Sequence, residues 1–372
     1  LKKTAMILSL LAALLVTHHF LLPRVWYRPS PYGTELARSA LLPDTLTKRL
    51  AAYVRDTTQY APSQQVVIIH NERILFEEGD TRQLINCHSA RKSIMNLLIG
   101  IAREKGFLRL DETLAQVGID ESKTPLTPQE KSATIRDLLM ARSGVYLPAE
   151  AETDFAKANR PKRGQYKPGE FYFYNNFDFN VLGAILEKKT LLSIGEFMET
   201  YLAKPLGLQD FSAANVVYGN PWPIRDDQSD FRVYWMYVSA RDLARIGALV
   251  AQQGRWNNKQ LVSPEWIAES TKPYSTTLDN SMWPFDGYGY LWWIDKDANT
   301  IWADGYGGQF LLIDPQRNLV VSQQNFTGKS LLTSGLFLIR KQKRHGGRYQ
   351  AMHLHELVKN FLDQQVIGAA AR

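Results

Sequence analysis

The sequence predicts an α+β fold: one antiparallel sheet built from strands near both ends of the chain, flanked by helices from both ends, with an all-helical lobe inserted between them. Three observations predict it. Residues Gln65 to Glu78 alternate apolar and polar and turn at Asn71-Glu72, the pattern of a β-hairpin. Strand-like runs return only after Tyr288. From about Thr113 to Ser229, helical stretches are separated by long polar loops. Strands so far apart share one sheet only if the helical segment leaves it and comes back.

The chain opens with Lys2 and Lys3, followed by an apolar run from Thr4 to Leu22. Nineteen helical residues span roughly 28 Å, about one hydrocarbon core. A basic end before an apolar run is the layout of an export signal. No small-x-small cleavage site follows promptly, and no cysteine ends the run for lipidation. Residues 1–22 are therefore expected to be an uncleaved signal-anchor, placing the body on the periplasmic face of the inner membrane. Pro23, Pro29, Pro31 and Pro43 give residues 23–45 the character of an extended tether. The remaining residues, 46–372, read as one domain with its helical lobe at about 113–229.

Within that domain, helical spacing marks Leu46 to Thr57 and Ala90 to Lys105, where Ile94, Leu97, Leu98 and Ile101 share a face. It marks Thr134 to Ala141, Phe179 to Lys189 and Ile194 to Lys204 in the lobe. Beyond the lobe it marks Ser239 to Gln253 and Met352 to Val366. Strands are predicted at Tyr288 to Ile294, Thr300 to Trp302, Gln309 to Ile313 and Leu319 to Gln323.

Composition excludes several classes. Apolar residues make up 45% and charged residues 22%, so the bulk of the chain is globular rather than disordered. One cysteine, Cys87, rules out an internal disulfide framework. The seven histidines fall in no metal-ligand spacing, and no metal or other cofactor is expected. Of the net charge of +7, five come from Arg340, Lys341, Lys343, Arg344 and Arg348. A solvated face or membrane-surface patch accounts for that cluster better than a nucleic-acid groove.

Three segments can carry chemistry. Ser89-Ala90-Arg91-Lys92 opens a predicted helix and puts a hydroxyl and an amine one turn apart on one face. A buried amine can take the proton of such a serine, although Ser89 could equally be a plain N-cap. Tyr174-Asn175-Asn176 precedes another helix, where a phenol beside a lysine can shuttle a proton and an amide can bind substrate; core packing is the alternative. The glycines of Asp304-Gly305-Tyr306-Gly307-Gly308 permit close backbone approach, and an N–H there could form half of an oxyanion hole. A glycine-rich hairpin turn has the same composition.

Taken in order, these segments resemble the three motifs of the penicillin-recognising serine hydrolases: class C β-lactamases, DD-peptidases, related esterases and 6-aminohexanoate-dimer hydrolases. Thr134 to Leu139 running on to Arg142-Ser143-Gly144, Pro168-Gly169-Glu170, Ser239 to Arg245, and Tyr288 to Trp293 add matches, and the resemblance covers roughly Leu46 to Gln324. It implies a β-lactamase/transpeptidase-like fold. It implies Ser89 as acylated nucleophile, Lys92 as its base, Tyr174 as proton shuttle and Asn176 as substrate-facing amide. The N–H groups of Ser89 and Tyr306 would bind the oxyanion.

One departure bears on substrate. The third motif of the family usually begins with Lys or His, then a hydroxylated residue, then Gly; here Ala303-Asp304-Gly305 stands in that place. Asp304 would repel a substrate carboxylate by about 1 kcal/mol at 4 Å in water and roughly 4 at an effective dielectric of 20. The alternative is a structural carboxylate bonded to local backbone. The expected activity is hydrolysis of a small neutral ester or amide through an acyl-enzyme. The alternatives are a β-lactamase or DD-peptidase acting on cell-wall-type substrates, or a tethered sensor acylated once without turnover. Membrane fractionation tests the anchor: full-length chain is expected in the pellet, and a soluble form beginning after residue 22 would contradict it.

Overall fold

The computed structural model describes residues 29–55, 65–219, 229–276, 285–327 and 347–370. The apolar run at 1–22, residues 23–28 of the expected tether and the basic residues from Arg340 to Arg344 lie outside them. Among the described residues, no helix is long and apolar enough to cross a membrane.

The hairpin forms where alternation places it. Strands β1 (Gln65–His70) and β2 (Arg73–Gly79) join at Asn71 and Glu72, both left-handed at φ 47° and 61°, as a tight two-residue turn demands. Strands β3 (Ile85–Asn86), β4 (Val216–Tyr218) and β5 (Tyr234–Val238) form a small separate sheet in the order β3-β5-β4. β6 (Arg255–Trp256) and β7 (Lys259–Gln260) pair alone. The main sheet is completed by β8 (Ser275–Thr276), β9 (Gly287–Tyr288), β10 (Trp293–Asp295), β11 (Thr300–Gly305), β12 (Gln309–Asp314) and β13 (Leu319–Gln324). Its order is β2-β1-β13-β12-β11-β10-β9-β8, with every pair antiparallel. The register Gln65↔Gln324 to His70↔Leu319 joins the two ends of the domain, as the α+β reading requires.

Both faces of the sheet are covered, so β11, β12 and β13 are buried throughout. Alternation sends Leu311 and Val320 to one face, against Gly247 of the helix Ala240–Ala251. Phe310 and Gln323 meet Gly347 at the start of the C-terminal helix Gly347–Ala370 on the other. That helix is pinned to β12 by polar contacts. His355 lies 3.0 Å from Asp314, and Arg317 bonds both Asp314 (3.1 Å) and Asp363 (2.8 Å).

The lobe contains the helices Leu114–Val117, Pro128–Lys131, Ile135–Leu139, Asp154–Asn159, Asn176–Thr190 and Ile194–Met198. Capping boxes at Thr113, Thr127, Thr134 and Ser193 satisfy the first amides of four of them. Between lobe and sheet runs the helix Arg91–Glu104, buried without interruption from Arg91 to Ala102. Asn96 accepts from the indoles of Trp266 (3.3 Å) and Trp292 (3.0 Å), and Ser93 donates to the Leu291 carbonyl (2.7 Å), so polar contacts fix its rotation.

Several segments differ from the sequence reading. The lobe expected to be all-helical carries the strand β4, which leaves it to pair with β5. Tyr288 to Ile294 is two strands rather than one. Tyr288 pairs with Trp293 across a turn in which Leu291 is left-handed (φ 62°) and donates to the Leu139 carbonyl. The aromatic run looked continuous because the turn, too, is buried. The helix begun at Ile194 widens at Glu199–Ala203 and ends at Leu206, two residues beyond Lys204. Residues 30–39, expected to be part of a tether, turn at Pro31-Tyr32 and lie along the body. Ser30 and Thr34 donate to the Gln209 and Gly207 carbonyls, and the Ile74 N–H donates to Ala37.

Candidate active site

A sharp turn sets Ser89 at the junction of sheet and helix. His88 takes a left-handed conformation (φ 46°), with its N–H donating to Asn86 Oδ1 at 2.9 Å. The turn His88–Ala90 then leads into the helix Arg91–Glu104. Ser89 remains half-buried, while Lys92, one turn on, is 3% exposed. Lys92 Nζ lies 2.9 Å from Ser89 Oγ and 2.6 Å from Tyr174 Oη, within hydrogen-bond reach of both. The rings of Tyr174 and Phe179 lie 4.4 and 4.5 Å from the same nitrogen.

Burial drives the ionisation of this cluster. Desolvation pushes the Lys92 amine well below its ordinary range, and the Arg91 charge adds to that; Asp304 opposes it. Burial likewise pushes Tyr174 up, so its phenol stays protonated through neutral pH. Both shifts favour the uncharged forms, an amine beside a neutral phenol. Such an amine has a lone pair for a serine proton.

The second segment is held from behind. Asn175 caps the helix Asn176–Thr190 through the Phe177 N–H (3.2 Å), and its amide donates to the Val145 carbonyl (2.7 Å) and Asp178 (2.9 Å). Ser143 donates to Asp178 at 2.5 Å, and burial pushes that carboxyl well up. Tyr174 stacks on Trp293 with ring centres 5.4 Å apart and meets the edge of Tyr288 at 6.1 Å. Asn176 donates to the Ala151 carbonyl at 2.5 Å, and its buried Oδ1 has no hydrogen-bond partner among the described residues. It makes no direct bond to Ser89, Lys92 or Tyr174.

The third segment reaches the same point. A Cβ on Gly305 would stand 2.3 Å from the Cys87 carbonyl and 3.2 Å from the Ala90 nitrogen. Only glycine lets the end of β11 lie against the turn that carries Ser89. Tyr306 follows at once, 47% exposed, its ring 5.6 Å from that of His88.

Asp304 corrects part of the sequence reading. It is 7% exposed and ion-paired with Arg348 of the C-terminal helix. The carboxylate expected to meet substrate alone is compensated. Arg348 belongs to the basic run expected to form a solvated face, but its side chain is largely buried, over Phe285 (4.7 Å) and Phe310 (6.0 Å). No local pattern marks this partnership, because 44 residues separate the partners.

Two more residues were missed. His88 bonds Thr327 Oγ1 at 2.9 Å and meets the edge of Trp235 at 5.7 Å. Arg91 lies fully inside, donating to the His88 carbonyl at 3.1 Å, its guanidinium 5.1 and 4.8 Å from the rings of Tyr234 and Trp235. A signal for Arg91 did exist. The apolar residues from Ile94 to Ala102 leave no solvent stripe, so the first turn of the helix had to be buried too. Among the described residues, no group of three His, Cys, Asp or Glu side chains could hold a metal ion.

Comparison with known proteins agrees with this architecture. An uncharacterised protein of Alkalihalophilus pseudofirmus is 26% identical over 290 residues, 68% of this chain and 81% of its own. A structure described as a 6-aminohexanoate-dimer hydrolase from Bacillus anthracis superposes with a TM-score of 0.58 at 17% identity, covering 89% of this chain and 92% of that one. EstCE1, described as a hydrolase with promiscuous acyltransferase activity, gives a TM-score of 0.55 at 18% identity, covering 81% of this chain and 99% of its own. These likenesses show the β-lactamase/transpeptidase-like fold. The model of the beta-lactamase family matches residues 47–323, from within the helix Asp44–Arg55 to β13 inside the sheet, and the chain belongs to that family of serine hydrolases.

Proposed function

We propose that this protein hydrolyses a small, uncharged ester or amide through an acyl-enzyme on Ser89. The observation that carries the reading is Lys92 Nζ, buried and placed between Ser89 Oγ and Tyr174 Oη. Lys92 takes the serine proton as Oγ bonds to the substrate carbonyl carbon. The carbonyl oxygen gains the negative charge and lies against the N–H groups of Ser89 and Tyr306. As the intermediate collapses, the bond to the leaving group breaks, and Tyr174 passes it a proton that Lys92 restores. Water then attacks the ester on Ser89, with the same two groups accepting its proton and returning one to Oγ. The Asn176 amide, whose oxygen has no described partner, orients the substrate.

Hydrolysis of a 6-aminohexanoate dimer and acyl transfer are the activities that the two structural neighbours carry in their descriptions, and acyl-enzyme chemistry serves either. The substrate-charge preference rests on the Asp304–Arg348 pair, which brings one charge of each sign to the third segment. A third segment whose two charges offset one another suits a neutral substrate. It suits the carboxylate of a β-lactam or a peptide C-terminus less well, because binding that carboxylate requires Arg348 to exchange partners.

Two experiments follow. A fluorophosphonate should add one mass increment to the wild-type chain and none to Ser89→Ala, whose fold should be intact by circular dichroism; labelling of Ser89→Ala elsewhere at the wild-type rate would sink the assignment. Asp304→Asn leaves the Arg348 charge uncompensated by this carboxylate. The ratio of kcat/KM for an anionic ester to that for its neutral analogue should then rise by roughly five- to a hundred-fold, the equivalent of about 1–3 kcal/mol. An unchanged or falling ratio contradicts the charge argument, and taking a ratio cancels any effect of the change on Lys92.

A further inference from the structure

Arg91 is a charge in a costly position. It is 1% exposed, one residue before Lys92, and its Nε and Nη2 hydrogens have no hydrogen-bond partner among the described residues. Its Nη1 donates to a carbonyl, that of His88, which brings no counter-charge. The faces of Tyr234 and Trp235 offset part of the desolvation, as aromatic rings do for a buried cation. An apolar residue would fill the same space at lower cost. The arrangement makes sense if the uncancelled charge is what the site uses.

We infer that Arg91 is a positioning residue of an electrostatic kind: held in the Tyr234–Trp235 cradle, it keeps Lys92 an uncharged amine able to accept the Ser89 proton. The inference rests on the acyl-enzyme reading and adds a residue to it. A fixed positive charge next to an amine disfavours its protonated form, and it acts more strongly where water is excluded. Burial of Lys92 works in the same direction, and Asp304 works against both. Around Lys92 stand Ser89 on its own helix face, the charge of Arg91 one residue before it, Tyr174 from the loop before the helix Asn176–Thr190, and Asp304 from β11, with Arg348 behind it. Tyr234 of β5 and Cys87 lie beyond Arg91, and Tyr288 of β9 lies beyond Tyr174. Arg91 is thus the one permanent cation in direct sequence contact with the base. Its bond to the His88 carbonyl also ties that charge to the turn that presents Ser89.

The test is the pH dependence of Ser89 labelling by a fluorophosphonate, a probe with no titrating group in the working range. The rate falls on the acidic side as Lys92 gains a proton. Arg91→Met keeps an unbranched chain against the two rings but removes the charge, so Lys92 holds its proton to higher pH. The acidic limb should move up by about one pH unit. Arg91→Lys, which keeps a cation, should leave the limb close to that of the wild type. If Arg91→Met does not fold, Arg91→Gln, which can still donate to the His88 carbonyl, makes the same comparison. A purely structural role would lower the rate at every pH without moving the limb, and that result overturns the inference. Failure of the underlying reading looks different: the wild type would then label at a residue other than Ser89.

Discussion

The site depends on one amine kept out of water. Lys92 Nζ touches both the serine that must lose a proton and the phenol that relays it, at 2.9 and 2.6 Å. A charged ammonium at 3% exposure would forfeit several kcal/mol of hydration, and a neutral amine avoids that cost. Burial therefore bears on the chemistry, because it favours the uncharged form of the lysine. The large apolar interior around the helix Arg91–Glu104 produces the base.

The remaining structure can be understood as what holds that amine in place. The helix is fixed in rotation by Asn96 between two tryptophans and by Ser93 on the Leu291 carbonyl. Tyr174 is wedged by Trp293 and Tyr288, two residues brought together by the turn that splits the aromatic run. β11 comes within contact of the Ser89 turn only because residue 305 lacks a side chain. The C-terminal helix delivers Arg348 to Asp304, and its own seat on β12 depends on Asp314, Arg317 and His355. Around this amine, the chain thus sets two cations, Arg91 and Arg348, and the carboxylate of Asp304. Their balance governs both proton transfer and the charge that a substrate meets.

Much of this was legible in the sequence, and for physical reasons. Alternation at Gln65 to Glu78 reports a hairpin directly, because a sheet face repeats every two residues, and the short apolar runs after Thr300 belong to strands buried on both faces. The three-residue step from Ser89 to Lys92 survives folding because a helix places those side chains on one face. Other features were hidden because they depend on distance through space. The Asp304–Arg348 pair bridges residues that no local pattern links, and a run of basic residues reads as solvated face until one member is found inside. The break between Tyr288 and Trp293 was masked by burial on both sides of the turn. Asp178 and Ser143, which brace the second segment, look like ordinary polar residues until they are found bonded to one another in the interior.

The central claim is that Lys92 is uncharged in the resting protein. Carbon-13 labelling of lysine Cε, with the Lys92 resonance assigned by its loss in Lys92→Met, reads its protonation directly by NMR. The account predicts the chemical shift of a neutral amine at pH 8, with titration well below the ordinary lysine value of 10.5. A Lys92 resonance that stays that of an ammonium up to pH 10 would contradict it.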